Sequence, residues 1–152
     1  LGCGMNVVAY DPFMTEVSID VPVAEQSVTV NINTIQLNDL LKQADYITLH
    51  IPAQADGKAV LGADEFAMMK DGVMIANAAR GGVIDEDALL ENLNNGKVAA
   101  AALDVFVNEP NPREDLLVHP KLSLTPHTGA ATQEAQDRIG EELASQIKDL
   151  LG

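Results

Sequence analysis

The sequence is poor in aromatic and basic residues. It contains no tryptophan, three phenylalanines and two tyrosines, so the core must be built mainly from aliphatic side chains. Nine Lys and Arg residues stand against 23 Asp and Glu residues, which gives a formal net charge of -14. Because nucleic acids and anionic membranes are bound through basic patches, this balance argues against both as partners. We interpret the acidity as a source of solubility.

Cysteine and long apolar runs are also scarce. Cys3 is the single cysteine, which excludes an internal disulfide and leaves no partner for a metal or redox motif. We therefore predict no metal site and take the cytoplasm as the default location. No run approaches the roughly 18 apolar residues of a membrane span, and nothing resembles a signal peptide. A chain of 152 residues suffices for one domain with a core and is too short for two.

The most informative stretch surrounds Arg80. Residues 73–79 are small, apolar and free of charge, which predicts a buried strand, and Arg80 follows at its end. Gly81 and Gly82 let the backbone turn sharply or approach a ligand closely, and Asp85 is the predicted N-cap of the next helix. Because ligands bind at the carboxyl edge of open α/β sheets, we interpret Arg80 as the centre of an anion site.

Strand and helix patterns alternate along the rest of the chain. The predicted strands are residues 5–10, 28–30, 44–52, 73–79, 98–106 and 122–127. The predicted helices are residues 37–42, 63–70 and 86–95, with a last helix that opens at residues 128–132. Residues 13–26 alternate apolar and polar side chains without fixing a structure, and the proline-rich residues 107–121 predict a loop. This alternation predicts an α/β fold with a mostly parallel sheet.

Ionisable residues follow several of the predicted strands, and in a parallel sheet they would gather at one edge: Asp11, His50, Arg80, Asp104, Glu109 and His127. Each has a plainer interpretation when it is taken alone. The alternatives are a capping or packing role for His127, a plain loop carboxylate for Glu109, a structural salt bridge from Arg80 to Asp85 or Asp104, a helix cap for Asp104, and a turn opener for Asp11.

Several motifs point to one family when they are read together. They are residues 8–12 (VAYDP), 49–52 (LHIP), 77–85 (NAARGGVID), 102–106 (ALDVF) with 109–110 (EP), and 125–130 (TPHTGA). In order and spacing they resemble the D-isomer-specific 2-hydroxyacid dehydrogenases, and the resemblance covers nearly the whole chain. It implies a Rossmann-type, doubly wound parallel sheet, the cofactor NAD and a small 2-hydroxy or 2-oxo acid as substrate.

The resemblance also implies a role for each catalytic residue. His127 would be the acid/base that exchanges a proton with the substrate hydroxyl, since imidazole titrates near neutral pH. Glu109 would hydrogen-bond the far ring nitrogen, fix the tautomer and favour the charged imidazolium. Arg80 would bind the substrate carboxylate with two parallel hydrogen bonds and polarise the carbonyl.

Cofactor contacts are implied for a second set of residues. Asp11 would bind the adenosine ribose and, through its charge, favour NAD over NADP, and Asp104 would touch the nicotinamide carboxamide. The whole set is Asp11, His50, Ile51, Pro52, Ala78, Ala79, Arg80, Asp104, His127, Gly129 and Ala130.

The chain departs from the family pattern at its start. The glycine-rich phosphate loop and the first strand are absent, and Gly2 and Gly4 do not replace them, because no strand precedes them and no helix follows. We therefore expect residues 1–152 to be an incomplete nucleotide-binding domain, truncated at its N-terminus and lacking the substrate-binding domain. Alone it should be inactive, and the full-length protein should be a homodimer or homotetramer. A non-catalytic NAD(H)-sensing module of the same fold is the alternative.

Overall fold

The fold consists of a four-stranded parallel sheet, a separate β-hairpin and five helices within the part described by the computed structural model, residues 2–129 and 131–151. The strands are β1 (Glu16–Val23), β2 (Gln26–Asn33), β3 (Tyr46–Leu49), β4 (Val73–Asn77), β5 (Val98–Leu103) and β6 (Leu122–Leu124). The helices are α1 (Leu37–Gln43), α2 (Ala63–Met68), α3 (Glu86–Asn95), α4 (Glu114–Leu117) and α5 (Gln133–Leu151).

The parallel sheet has the order β3-β4-β5-β6, and helices connect successive strands from β3 to β6. Short apolar strands alternate with helices because parallel neighbours require a crossover connection. The predicted α/β class is confirmed. β3 lies at one edge of this sheet, and no strand pairs with its outer side among residues 2–129 and 131–151.

The core is aliphatic, as the composition predicts. Phe66 is fully buried, and the other fully buried large side chains are leucines and valines from the sheet, the helices and the segments that connect them: Leu41, Leu61, Leu89, Leu93, Leu116, Val73, Val83 and Val98. α1 packs on α2, α2 on α3, and α3 on β5. The core therefore fixes the strands, and the candidate site residues lie in the segments that follow the ends of these strands.

Helix α3 follows its capping signals. The Asp85 carboxylate accepts a hydrogen bond of 2.9 Å from the Ala88 amide, so it is the predicted N-cap. Gly96 ends the helix in the left-handed region, at φ 86°, where glycine carries no Cβ penalty. The predicted bounds, Glu86 to Asn95, are confirmed.

The first third of the chain differs most from the prediction. Residues 13–26, left without a predicted structure, contribute β1, which pairs antiparallel with β2 over eight residues. The predicted strand over residues 5–10 is wrong, because only Ala9 forms a bridge, to Thr34. A strand needs a neighbouring ladder of backbone hydrogen bonds, and residues 5–8 have none.

Two further differences concern short or exposed elements. One turn of helix, α4, lies inside the predicted loop because Leu116 is fully buried beneath it. Helix α5 carries the predicted apolar stripe, yet none of its described residues is buried. The stripe predicts the helix but not a packing partner. No helix in residues 2–129 and 131–151 is long and apolar enough to cross a membrane.

Candidate active site

The four parallel strands end side by side. Leu49, Asn77, Leu103 and Leu124 are successive partners across the sheet and are the last residues of β3, β4, β5 and β6. The segments that follow these residues therefore leave the sheet at the same edge. They carry His50, Arg80, Asp104 with Glu109, and His127 respectively. The predicted gathering of these residues at one edge is what the topology produces.

His127 and Glu109 form a direct pair. Their side chains are partly exposed, and 2.7 Å separates His127 Nδ1 from Glu109 Oε2. The other carboxylate oxygen of Glu109 accepts a hydrogen bond of 2.9 Å from the Phe106 amide. His127 adopts φ 54°, a left-handed conformation that is rare for residues other than glycine. Such strain is typical of functional positions whose surroundings hold the backbone firmly.

The hydrogen bonds of Glu109 determine which groups of the Glu109–His127 pair carry a hydrogen. The hydrogen bond with His127, followed by that from the Phe106 amide, lowers the pKa of the Glu109 carboxyl below its ordinary value. Glu109 is therefore ionised at neutral pH and can only accept a hydrogen bond. Nδ1 of His127 must then carry the hydrogen, which leaves Nε2 as the ring nitrogen for proton exchange with a ligand.

Arg80 lies in the loop between β4 and α3, and its side chain is exposed. Its Nη1 donates a 2.6 Å hydrogen bond to the carbonyl of Ala79. Within residues 2–129 and 131–151 it forms no ion pair with a carboxylate, so the alternative of a structural salt bridge to Asp85 or Asp104 is not seen. The guanidinium is free to bind an external anion.

Gly81 joins the Arg80 loop to the loop that carries Glu109. A Cβ atom at Gly81 would lie 1.9 Å from the carbonyl oxygen of Phe106, so the two backbones touch in a way that only glycine allows. Phe106 is also the residue whose amide binds Glu109. Arg80 thus lies one residue from a backbone contact that leads through Phe106 and Glu109 to His127, so the loops of the predicted catalytic trio adjoin. The catalytic roles of the three residues stay predictions.

We expect Gly81→Ala to destabilise the fold by about 3 kcal/mol, because the added methyl group collides with backbone rather than with a movable side chain. Urea unfolding measures the change. Gly140→Ala on α5 is the matched control, since a Cβ there meets nothing within 4 Å and alanine is the better helix residue by about 0.5–1 kcal/mol. Equal stability of Gly81→Ala and wild type would contradict the close approach.

Asp104 is one of two buried polar residues in the described part of the chain. Its Oδ1 accepts hydrogen bonds from the Thr125 hydroxyl and from the Thr128 amide and hydroxyl, and its Oδ2 accepts one from the Gly129 amide. Burial alone would raise the pKa of Asp104, but these hydrogen bonds outweigh it and lower the pKa. Asp104 therefore holds the loop that presents His127, and its predicted contact with the nicotinamide stays a prediction.

We expect Asp104→Asn to lower the melting temperature at pH 7 by several degrees, because an amide nitrogen would face groups that donate hydrogen bonds. A carboxyl whose pKa is lowered on folding stabilises above its ordinary value, here 3.8, and loses that effect as the pH falls through its folded pKa. The difference in melting temperature between Asp104→Asn and wild type should therefore become smaller below pH 3.8. Asp20→Asn is the control, since this exposed carboxylate accepts a side-chain hydrogen bond from Thr29 alone among the described residues. A difference in melting temperature that does not change with pH would contradict a stabilising role for the ionised Asp104 carboxylate.

The predicted cofactor segments lie along the same edge. Ile51 and Ala79 pack partly against the core, while His50 and Pro52 are exposed, and His50 Nε2 lies 3.0 Å from the Thr48 hydroxyl. Ala78 and Gly129 are also exposed. Ala130 lies outside the described residues.

The Asp11 side chain forms a turn with the residues that follow it. Its Oδ1 accepts hydrogen bonds from the Phe13 and Met14 amides, at 2.7 and 3.0 Å, which is the side-chain turn that Asp commonly forms. This is the plainer of its two interpretations. Ribose binding by Asp11 remains a prediction, because the turn engages only one of the two carboxylate oxygens.

A pocket of about 360 Å³ opens beside the His127–Glu109 pair. These two residues are its ionisable members, and prolines and leucines supply most of the remaining wall: Phe106, Pro110, Pro112, Leu117, Leu124, Thr125 and Pro126. A concave apolar wall with one acid–base pair is the usual composition of a small-molecule site.

A dinucleotide fits the residues at this edge. The exposed Ala78 and Gly129 are small residues near the strand ends, and the side chains of Asn77 and Asp104 hold the loops through hydrogen bonds with their backbone groups. Such rigid, small-residue loops at the carboxyl ends of parallel strands are where nucleotides bind in open α/β sheets. In the described part of the chain, no cluster of three or more His, Cys, Asp or Glu side chains could hold a metal ion.

Three residues whose hydrogen bonds hold the loops were not predicted as site residues: Asn77, Thr125 and Thr128. A polar residue that ends a charge-free buried run, as Asn77 does, was the available signal. The hydroxyl groups of Thr125 and Thr128 gave none, because their partner, Asp104, lies more than twenty residues away.

Fold and site together define a dinucleotide-binding α/β domain with a histidine–glutamate pair at the cofactor edge. The family model described as "D-isomer specific 2-hydroxyacid dehydrogenase, NAD binding domain" matches residues 1–129. The chain therefore belongs to the family of D-isomer-specific 2-hydroxyacid dehydrogenases, and the prediction of NAD as the family's cofactor is confirmed.

Individual relatives agree with this assignment. D-3-phosphoglycerate dehydrogenase of Methanocaldococcus jannaschii is 44% identical over 97% of this chain, and hydroxypyruvate reductase of Thermotoga maritima is 43% identical over 100% of this chain. The structure of D-lactate dehydrogenase from Aquifex aeolicus, complexed with NAD and lactic acid, has a TM-score of 0.67 at 29% identity and covers 79% of this chain. The chain spans 27%, 47% and 41% of these three proteins.

Proposed function

We propose that this chain supplies the catalytic and cofactor-binding part of an NAD-dependent dehydrogenase that interconverts D-2-hydroxy acids and 2-oxo acids. One observation carries the proposal. The Glu109–His127 pair and Arg80 lie in loops that leave the same sheet edge and touch through Gly81 and Phe106. Such a reaction needs one group that exchanges a proton and another that holds a carboxylate.

His127 is the proton-exchanging group. Glu109 binds Nδ1, so Nε2 can take a proton from a substrate hydroxyl or return one to a carbonyl oxygen. The nearby carboxylate of Glu109 stabilises the imidazolium that forms when the hydroxyl loses its proton. When bound, NAD accepts the hydride that leaves the substrate carbon.

Arg80 is the carboxylate-binding group. Its guanidinium contacts only the neutral carbonyl of Ala79 among the described residues, and a substrate carboxylate offers a stronger, charge-assisted partner. The planar fork fits a carboxylate with two parallel hydrogen bonds and draws electron density from the adjacent carbonyl. Fixed geometry between Arg80 and His127 would then select acids whose hydroxyl lies on the carbon next to the carboxylate.

The cofactor would lie along residues 50–52, 78–80 and 127–130, with Asp104 near the nicotinamide and Asp11 at the ribose. A carboxylate at Asp11 would repel the 2′-phosphate of NADP, so we propose a preference for NAD. Residues 127–136 (HTGAATQEAQ) resemble D-3-phosphoglycerate dehydrogenase, the name that the Methanocaldococcus relative carries. Oxidation of 3-phosphoglycerate in serine biosynthesis is therefore the specific activity that we propose.

We also propose that these residues form part of a nucleotide-binding domain in a longer protein. The relatives named above are two to four times longer than the matched chain. The phosphate loop and a substrate-binding domain would lie elsewhere in that protein, together with the groups that read the tail of the substrate. Its assembly as a homodimer or homotetramer and its cytoplasmic location remain predictions. No observation favours the alternative of a non-catalytic NAD(H)-sensing module.

The test is an absorbance assay of NADH formation by the full-length protein with D-3-phosphoglycerate, D-lactate and D-glycerate, each with NAD and with NADP. We expect turnover with NAD and the highest kcat/KM for D-3-phosphoglycerate. Turnover with another of these acids would retain the reaction class and reject the specific substrate. Binding of NADH without turnover of any 2-hydroxy acid would favour a sensing module instead.

A further inference from the structure

Asn77 is the last residue of β4 and is only 3% exposed. A buried amide must satisfy its donor and acceptor groups, or folding loses the free energy of their hydration. The Asn77 side chain meets that demand within its own loop. Its Oδ1 accepts a hydrogen bond of 3.0 Å from the Ala79 amide, and its Nδ2 donates one of 3.0 Å to the Arg80 carbonyl.

These two hydrogen bonds close the backbone of residues 77–80 into a fixed turn. The bond to Ala79 is the side-chain turn that asparagine often forms two residues ahead of itself. The bond to the Arg80 carbonyl then holds the peptide that leads into Gly81, where the chain touches Phe106. Asn77 thereby determines where the Arg80 side chain leaves the backbone.

The main chain of Asn77 reaches the other half of the site. Its carbonyl accepts a hydrogen bond of 2.9 Å from the amide of Asp104 on the neighbouring strand end. The Asp104 carboxylate in turn binds Thr128 and Gly129 in the loop that presents His127. The two buried polar residues of the described chain are thus direct neighbours. One holds the Arg80 loop and the other holds the His127 loop.

We propose that Asn77 is a positioning residue, which sets the distance between the guanidinium of Arg80 and the imidazole of His127. The inference rests on the proposed dehydrogenase function, because it assigns Asn77 a role in that reaction. A substrate joins both groups, its carboxylate on one and its hydroxyl oxygen on the other. A displaced Arg80 weakens the first contact and misaligns the second.

The test is Asn77→Asp in the full-length protein. The new carboxylate keeps the acceptor for the Ala79 amide but places an oxygen against the Arg80 carbonyl, where a donor stood. We expect kcat/KM for the 2-oxo acid to fall about tenfold to a hundredfold, with a larger rise in KM than fall in kcat. The KM for NADH should change less.

A matched control makes the same chemical change away from the site. Asn92 on α3 also donates its side-chain amide to a backbone carbonyl, that of Ala88, at 2.8 Å. Asn92→Asp should lower the melting temperature, and its kinetic constants should equal those of wild type. A purely structural role for Asn77 predicts that both variants behave in this way.

A double-mutant cycle shows whether Asn77 acts through Arg80. In an Arg80→Ala background no guanidinium remains to be placed, so Asn77→Asp should then cost little of the residual kcat/KM. An equal fold loss in both backgrounds, or wild-type kinetics for Asn77→Asp, would overturn the inference. If Asn77→Asp does not fold, Asn77→Ser keeps a turn-forming acceptor, removes the donor and should give the same pattern.

The outcome for Asn77 is separable from that for the proposed function. Full-length wild type without any turnover of 2-hydroxy or 2-oxo acids would reject the function itself. An active wild type with an unaffected Asn77→Asp variant would reject only the positioning role.

Discussion

His127→Ala in the full-length protein should lower kcat about a hundredfold to ten-thousandfold and leave the binding of NADH within a small factor of wild type. The variant removes the ring whose Nδ1 binds Glu109, and with it the nitrogen that we propose exchanges the substrate proton. The proposed cofactor contacts are spread along the sheet edge, so the loss of one ring should change cofactor affinity little. Steady-state kinetics with NADH fluorescence titration measures both quantities.

His119→Ala is the matched control for this variant. His119 follows α4, and its ring contacts Asn94 and the Lys121 amide rather than any group of the site. We expect kcat close to wild type. A His127→Ala enzyme that keeps its kcat would remove His127 from the reaction, and an equal loss in His119→Ala would show that the effect is not specific to the site.

Arg80→Lys should raise KM for the 2-oxo acid and lower kcat together, with kcat/KM reduced about tenfold to a hundredfold. Lysine keeps the positive charge but offers a point contact in place of the planar fork. The lost hydrogen bond weakens the substrate complex, and the loosened carboxylate lets the carbonyl drift from His127. Initial rates over a range of substrate concentrations separate the two constants.

The same exchange at a distant arginine controls for the loss of the guanidinium. Arg138 lies on the exposed helix α5 and binds only a backbone carbonyl one turn earlier among the described residues. Arg138→Lys should leave both constants unchanged. If Arg80→Lys also leaves KM and kcat unchanged, the substrate carboxylate is held by another group.

Local signals in the sequence were sufficient for helix α3 and for the strands of the parallel sheet. Asp85 and Gly96 delimit α3 because capping chemistry depends only on neighbouring residues. The strand over residues 73–77 follows from its charge-free apolar run, and its end explains why Arg80 emerges at the sheet edge. Parallel pairing then places the strand ends at one edge of the sheet, so the gathering of the candidate catalytic residues at that edge was predictable.

The hairpin was not predictable to the same degree. β1 and β2 alternate apolar and polar residues, yet the turn between them has Ala24 at φ 54° and lacks the Asn-Gly or Asp-Gly pair that normally marks such a turn. Helix α4 depends on the burial of Leu116, which is a property of the packed core and not of its own four residues.

The predicted strand over residues 5–10 failed for a related reason. Val7 and Val8 have strand propensity, but a strand requires a pairing partner. Among the described residues, this segment is paired only through the bridge at Ala9. The sequence likewise gave no signal for the hydrogen bonds that hold the loops of the candidate site. Asn77 and Asp104 act through contacts between loops, and no periodic pattern records such contacts.

The most direct measurement is a crystal structure of the full-length protein with NADH and oxamate, an analogue of a 2-oxo acid. We expect the oxamate carboxylate to accept two hydrogen bonds from the Arg80 guanidinium, and its amide carbonyl to lie within hydrogen-bond distance of His127 Nε2, with Glu109 still bound to Nδ1. Oxamate bound away from Arg80, or a His127 ring turned away from the analogue, would contradict a shared catalytic site.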